Sequence, residues 1–153
     1  MRKRTRRKVW STAINPIMHA VMGAALIPQE ELDRLRIREL AAIEAFRAGK
    51  AGLQEWHDIT SYLNLCEMLA HQGVGPEALI ACETLQDEMI AAAQRFEATG
   101  KMGLPGPGLI AAREVWEFHD LQRQSVARSV YERAIEALGQ RIRSRAAGVV
   151  VIT

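Results

Sequence analysis

A chain of 153 residues with 48% hydrophobic and 25% charged residues has the makeup of one globular domain, long enough to bury a core without a disulfide or metal staple. Only 5% of it is aromatic, while Ala, Leu, Glu, Arg and Gln are plentiful, which favours helix. The net charge of +2 conceals a segregation: six of the twenty basic residues fall in the first eight positions, so residues 9 to 153 carry fourteen Lys or Arg against eighteen Asp or Glu.

The basic tip consists of Arg2, Lys3, Arg4, Arg6, Arg7 and Lys8, with Trp10 beside it. A block of like charge of this kind is solvated by itself and serves as an interaction arm, here spanning residues 1–10. Its cations suit phosphates and its indole suits stacking on a base; an acidic protein, an anionic membrane surface and a tail without a specific role stay open. Together with the apolar run Ile14 to Ile27, the tip imitates a signal peptide, including a twin-arginine look at Thr5 to Trp10. Asn15, Pro16 and His19 interrupt that run, so a retained segment is expected. Nothing else approaches the length of a membrane span.

Residues 11–146 are expected to form a bundle of four to five helices. The first helix covers about 16 to 26, with Asn15 as N-cap and Pro16 in its first turn. The second covers about 28 to 48, started by Pro28 with Glu30 and Glu31 at the positive end of the dipole, its stripe Leu32, Leu35, Ala42, Ile43 and Phe46. The third covers about 52 to 72 and buries Trp56, Ile59, Leu63, Cys66 and Ala70, with Gly73 as its stop. The fourth runs from Pro76 to about Thr99 on a stripe of Ala78, Cys82, Leu85, Met89, Ala92 and Phe96. Three glycines and two prolines between Gly103 and Gly108 then make a loop, read as a hinge between helices. The fifth helix is read as long and unbroken, about 109 to 145. Its C-terminal half then outruns the other helices and offers a face for pairing with a second copy. Residues 147–153 form a tail of strand propensity without a partner strand.

Some polar residues fall where the pattern wants apolar ones. His119 lies inside the apolar face of the fifth helix and Arg123 at its edge; Glu39 lies in the stripe of the second, and Glu55 and Asp58 lean toward the apolar side of the third. Buried charges must be paired, so His119 and Arg123 are expected to meet Glu39 or Glu55 across the core. A register-fixing network and a ligand site both fit that pattern.

Other chemistries find no support. In Glu55-Trp56-His57 and Glu117-Phe118-His119 the carboxylate and imidazole are two residues apart, which puts them on different helix faces, whereas a di-iron bundle needs a spacing of three. Glu67 and His71 share a face, but two ligands make no metal site. Neither cysteine has CxxC spacing or a nearby base, so both read as reduced core thiols. No GxSxG elbow is present, and the Gly-Pro loop lacks the Lys-Ser/Thr ending of a phosphate cradle. The turn at Gly73 to Pro76 joins helices too acidic for base recognition. No cofactor and no metal are expected, and the chain reads as non-enzymatic.

The Arg/Lys-rich start before Ile14-Asn15-Pro16-Ile17, the run Leu63-Asn64-Leu65-Cys66-Glu67, Gly73-Val74-Gly75-Pro76-Glu77 and Phe118-His119-Asp120-Leu121-Gln122 together resemble uncharacterised small helical proteins of prophages and mobile elements of proteobacteria. The resemblance spans most of the length. It implies a phage-type accessory protein of the bacterial cytoplasm that acts by binding, as a regulator or as an inhibitor of host defence. The expected partner is nucleic acid or a host nucleoprotein complex, contacted through Arg2, Lys3, Arg4, Arg6, Arg7, Lys8 and Trp10 and assisted by Arg141, Arg143 and Arg145. The alternative partner is a host protein, or a small ligand held at Glu39, Glu55, His119 and Arg123.

Overall fold

Helical periodicity governs the described part of the chain, residues 23–144 of a computed structural model. Five helices follow one another: α1 (Gln29–Arg47), α2 (Leu53–His71), α3 (Leu79–Thr99), α4 (Gly106–Ser125) and α5 (Arg128–Arg143), with a short 3-10 turn at Pro76–Ala78 ahead of α3. The architecture is an all-α bundle, and no strand occurs among the described residues. The N-terminal arm, the start of the first expected helix and the tail 147–153 lie outside the described residues; Gly23 and Ala24, at the end of that expected helix, are helical.

Local chemistry accounts for most boundaries. Pro28 precedes α1, and Glu30 and Glu31 occupy its first turn. After α1 the chain reverses at Gly49, whose φ of 69° is readily adopted only by glycine, while the Lys50 N–H donates to the Ala45 carbonyl at 2.8 Å. Gly100, at φ 71°, ends α3 in the same way.

Central in the bundle is α2, which packs against α1, α3, α4 and α5. Its side-chain bonds give the sense of the neighbours. Trp56 Nε1 donates to the Met89 carbonyl and Gln86 donates to Glu67, so α3 runs antiparallel to α2. Tyr62 donates to the Ala112 carbonyl and Gln122 to the Cys66 carbonyl, so α4 runs in the same sense as α2. The main core joins Phe46, Trp56, Ile59, Tyr62, Leu63, Leu85, Met89 and Val115. A second cluster, of Ile27, Leu32, Leu65, Leu69, Val126, Tyr131 and Ala134, seats α5 on the side of α2.

Two expectations need correction. The Gly-Pro loop does not extend to Gly108: α4 begins at Gly106 with Pro107 in its first turn, where the absent N–H has no intrahelical acceptor to satisfy. Gly108 is buried in that turn, and a Cβ there would lie 3.2 Å from both Glu88 Oε2 and Leu104 Cδ2.

More consequentially, the single long helix from 109 to 145 is two helices. Val126 (φ −106°, ψ 151°) and Ala127 (φ −65°, ψ 149°) are extended. This dipeptide pairs antiparallel with Leu26, and the Arg128 N–H donates to the Ala25 carbonyl at 2.8 Å. The helix gives up its own ladder there and recovers the hydrogen bonding from another part of the chain.

Candidate functional site: a sealed polar cluster between the helices

Three helices bring the polar residues together. Glu39 projects from α1 and Arg123 from α4; their side chains meet in a two-pronged pair, Nη1 to Oε1 and Nη2 to Oε2, both at 2.8 Å. Trp116, two turns before Arg123, donates its indole N–H to Glu39 Oε2 at 2.9 Å. Arg123 Nη2 also donates to Asp120 Oδ1 at 3.2 Å. Asp120 in turn is gripped by Arg36 of α1, Nε to Oδ1 at 2.8 Å and Nη2 to Oδ2 at 2.9 Å. Two carboxylates and two guanidiniums therefore alternate along the α1–α4 interface, and their charges cancel.

Burial of the four differs. Arg123 has no exposed surface and Glu39 is 7% exposed, while Arg36 and Asp120 form the half-buried outer end. Burial raises the Glu39 carboxyl against the pull of Arg123. A two-pronged guanidinium that cannot surrender its proton keeps Glu39 ionised at neutral pH. For Asp120, burial acts upward too, but Arg36 and Arg123 outweigh it and hold the carboxyl below its ordinary range.

His119 forms a separate arm. Gln122 donates its amide N–H groups to the Cys66 carbonyl of α2 at 3.1 Å and to the Val74 carbonyl of the following turn at 2.8 Å. That orientation leaves Gln122 Oε1 facing His119 Nδ1 at 3.0 Å. An amide oxygen only accepts, so Nδ1 carries the proton and Nε2 is the bare nitrogen. The ring lies between Tyr62 and Tyr131, with centroids at 6.5 and 6.1 Å. Burial, reinforced by the Arg123 charge, lowers its pKa to about 3, so His119 is neutral at physiological pH. His119 Nε2 and Arg123 Nε have no hydrogen-bond partner among the described residues.

Of the residues expected in this cluster, Glu39, His119 and Arg123 are gathered and Glu55 is not. Glu55 sits in the first turn of α2, where its Oε2 accepts the Gly52 N–H at 2.8 Å. A free N–H at a helix start is a nearer partner than a cation across the core, and it claims the carboxylate. Asp58 turns outward to Arg38, and His57 is exposed. Arg36, Trp116, Asp120 and Gln122 escaped sequence reasoning, although Arg36 lies one turn before Glu39 and Gln122 one turn after His119. That helical spacing was the available signal.

Chemically the cluster is closed. A neutral imidazole can act as a base, but His119 has no exposed surface. A surface depression at Arg95, Gly103, Leu104 and Pro105 lies apart from these groups. Among the described residues, no three His, Cys, Asp or Glu side chains are placed to hold a metal ion, and no helix is long and apolar enough to cross a membrane.

The surface cations are arranged differently. Arg141 and Arg143 are exposed at the end of α5. Residues 2–10 and Arg145 lie outside the described residues. Comparison of the chain with protein-family models, with curated proteins and with solved structures found no match.

Proposed function

We propose that this chain is a non-enzymatic accessory protein of a phage or mobile element that binds nucleic acid, or a nucleoprotein complex, in the bacterial cytoplasm. The contacts are Arg2, Lys3, Arg4, Arg6, Arg7, Lys8 and Trp10, assisted by Arg141, Arg143 and Arg145. The mobile-element setting rests on the resemblance of the four sequence segments named above. The binding mode rests on one observation, the segregation of charge.

Residues 23–144 hold thirteen Lys or Arg against eighteen Asp or Glu, a net of −5, so the body by itself repels a polyanion. Seven of those thirteen cations (Arg34, Arg36, Arg38, Arg47, Arg113, Arg123 and Arg128) are engaged in ion pairs. Among the described residues, Lys50, Lys101, Arg133, Arg141 and Arg143 make neither an ion pair nor a side-chain hydrogen bond, and three of these five belong to α5. Cationic character is thus concentrated at the two sequence ends.

Binding of labelled DNA and RNA, measured across a salt series, tests the reading. Affinity should fall steeply with salt, and deleting residues 2–8 should remove binding while leaving the melting temperature unchanged. A truncated protein that binds as well as the full chain rejects the arm as the contact.

A second reading, blockade of a host protein, is favoured by apolar side chains left in solvent: Ile37, Ile80, Ile110 and Leu121 are each 65–79% exposed. Sequestration of a small ligand at Glu39, His119 and Arg123 is disfavoured by the sealing of that cluster. Self-association through α5 draws on Ile135 and Ile142, which are 46% and 42% exposed, and light scattering on the eluting protein measures it.

A further inference from the structure

Cys66 of α2 and Cys82 of α3 are sixteen residues apart in sequence, on consecutive antiparallel helices, and both are free thiols buried in the main core. Register brings them level. In antiparallel helices of equal rise, the Trp56–Met89 bond sets residue 66 opposite about residue 79 and the Glu67–Gln86 bond sets it opposite about residue 87, and Cys82 lies between the two. Small side chains accompany them: Ala78 and Ala81, at 0% and 6% exposure, belong to the same core cluster as both cysteines, and helix separation follows the bulk of the contacting residues. The two side chains bear on each other's titration: Cys66 holds the Cys82 thiol down, while Cys82, with burial, raises Cys66.

We propose that Cys66 and Cys82 are a disulfide-forming pair that staples α2 to α3 across the Gly73–Ala78 turn on exposure to a small-molecule disulfide such as oxidised glutathione. The Cys82 thiolate attacks one sulfur of the oxidant and expels one small-molecule thiolate. Cys66 then loses its proton and attacks the Cys82 sulfur of the mixed disulfide, expelling the second. Two protein thiols are oxidised to one disulfide, the small disulfide is reduced to two thiols, and the two protons pass to the released thiolates. Since Cys66 has no exposed surface and Cys82 only 1%, the oxidant gains access when the α2–α3 end opens locally, and mild denaturant accelerates the reaction.

The test uses the full chain incubated with oxidised glutathione, without urea and in urea below the unfolding transition, followed by unreduced peptide mapping. A peptide linked through Cys66 and Cys82 is expected, with a melting temperature about 5–10 °C above that of the reduced protein and restored by dithiothreitol. Cys82→Ser should accept at most a mixed disulfide at Cys66 and show no such rise. Mixed disulfides without the linked peptide, linkage only in fully unfolded protein, or a linked form that melts at or below the reduced one would each overturn the proposal.

Discussion

Two interfaces of the same bundle are held by different physics. Between α2 and α3 the contact is apolar and close-packed, made by Trp56, Ile59, Leu63, Cys66, Cys82, Leu85 and Met89. Between α1 and α4 it is an alternating row of Arg36, Asp120, Arg123 and Glu39. Dispersion and the hydrophobic effect are non-directional, so an apolar face tolerates small slips of one helix along another. A two-pronged guanidinium–carboxylate pair does not, since moving α4 by one residue would separate Arg123 from Glu39 while leaving both in the core. The difference suggests that α2–α3 packing supplies most of the stability and the α1–α4 charges supply register. Buried ion pairs are retained for such specificity in some proteins, although they add little net stability over an apolar replacement.

The largest effect that would break this comparison comes from removing one partner of the buried pair. Arg123→Ala or Glu39→Ala should cost about 3–5 kcal/mol in urea unfolding, because each strands an uncompensated charge. Replacing both together, Arg123→Met with Glu39→Leu, should recover most of that loss. Should the double variant prove as unstable as the worse single one, the pair is a source of net stability and the assignment of register to it is wrong. Leu85→Ala at the apolar interface should cost about 2–4 kcal/mol, with no partner substitution able to restore it.

A smaller effect separates the imidazole from the charges. The folded pKa of His119, about 3, lies below the ordinary unfolded value near 6.5, so the unfolded chain binds the extra proton first. Its contribution is therefore complete above pH ~6.5 and is lost as pH falls toward 3, a loss on the order of 1–2 kcal/mol between pH 6.5 and 5. His119→Gln should flatten this part of the pH–stability curve, and an unchanged slope would assign the acid sensitivity to other groups. Glu55→Ala should have the smallest effect, about 0.5–1 kcal/mol, as expected for a helix-start contact rather than a core pair. A loss near that of Glu39→Ala would return Glu55 to the network.

The candidate site was readable in kind but not in membership. Polar residues at His119, Arg123 and Glu39 interrupt apolar stripes, and a buried charge demands a partner, so a cluster was foreseeable. Which carboxylate Arg123 would meet was not, because Glu39 and Glu55 look alike on a helical wheel and only Glu55 had a free backbone N–H at hand. The break after Ser125 left a trace as well. At 100° per residue, the buried stripe ending at Gln122, Arg123 and Val126 and the inward-facing one formed by Tyr131, Ala134 and the partly buried Leu138 are about 105° out of phase. Without Gly or Pro to mark the change, an amphipathic run reads as one helix.

The amino-acid order alone determined that residues 23–144 are helical, where α1 and α2 begin and end, where α3 ends, and which faces turn inward; α3 itself starts at Leu79, after a 3-10 turn at the Pro76 where the sequence placed its start. Those features follow from caps, prolines, glycines and a 3.6-residue period, all of which act within a few residues. Tertiary structure decided the rest: the pairing of Arg123 with Glu39, the meeting of Cys66 and Cys82, and the extended step at Val126–Ala127. Each depends on what a segment distant in sequence places alongside, and for the step at 126–127 that segment is Ala25–Leu26, whose backbone takes over the hydrogen bonds the helix relinquishes.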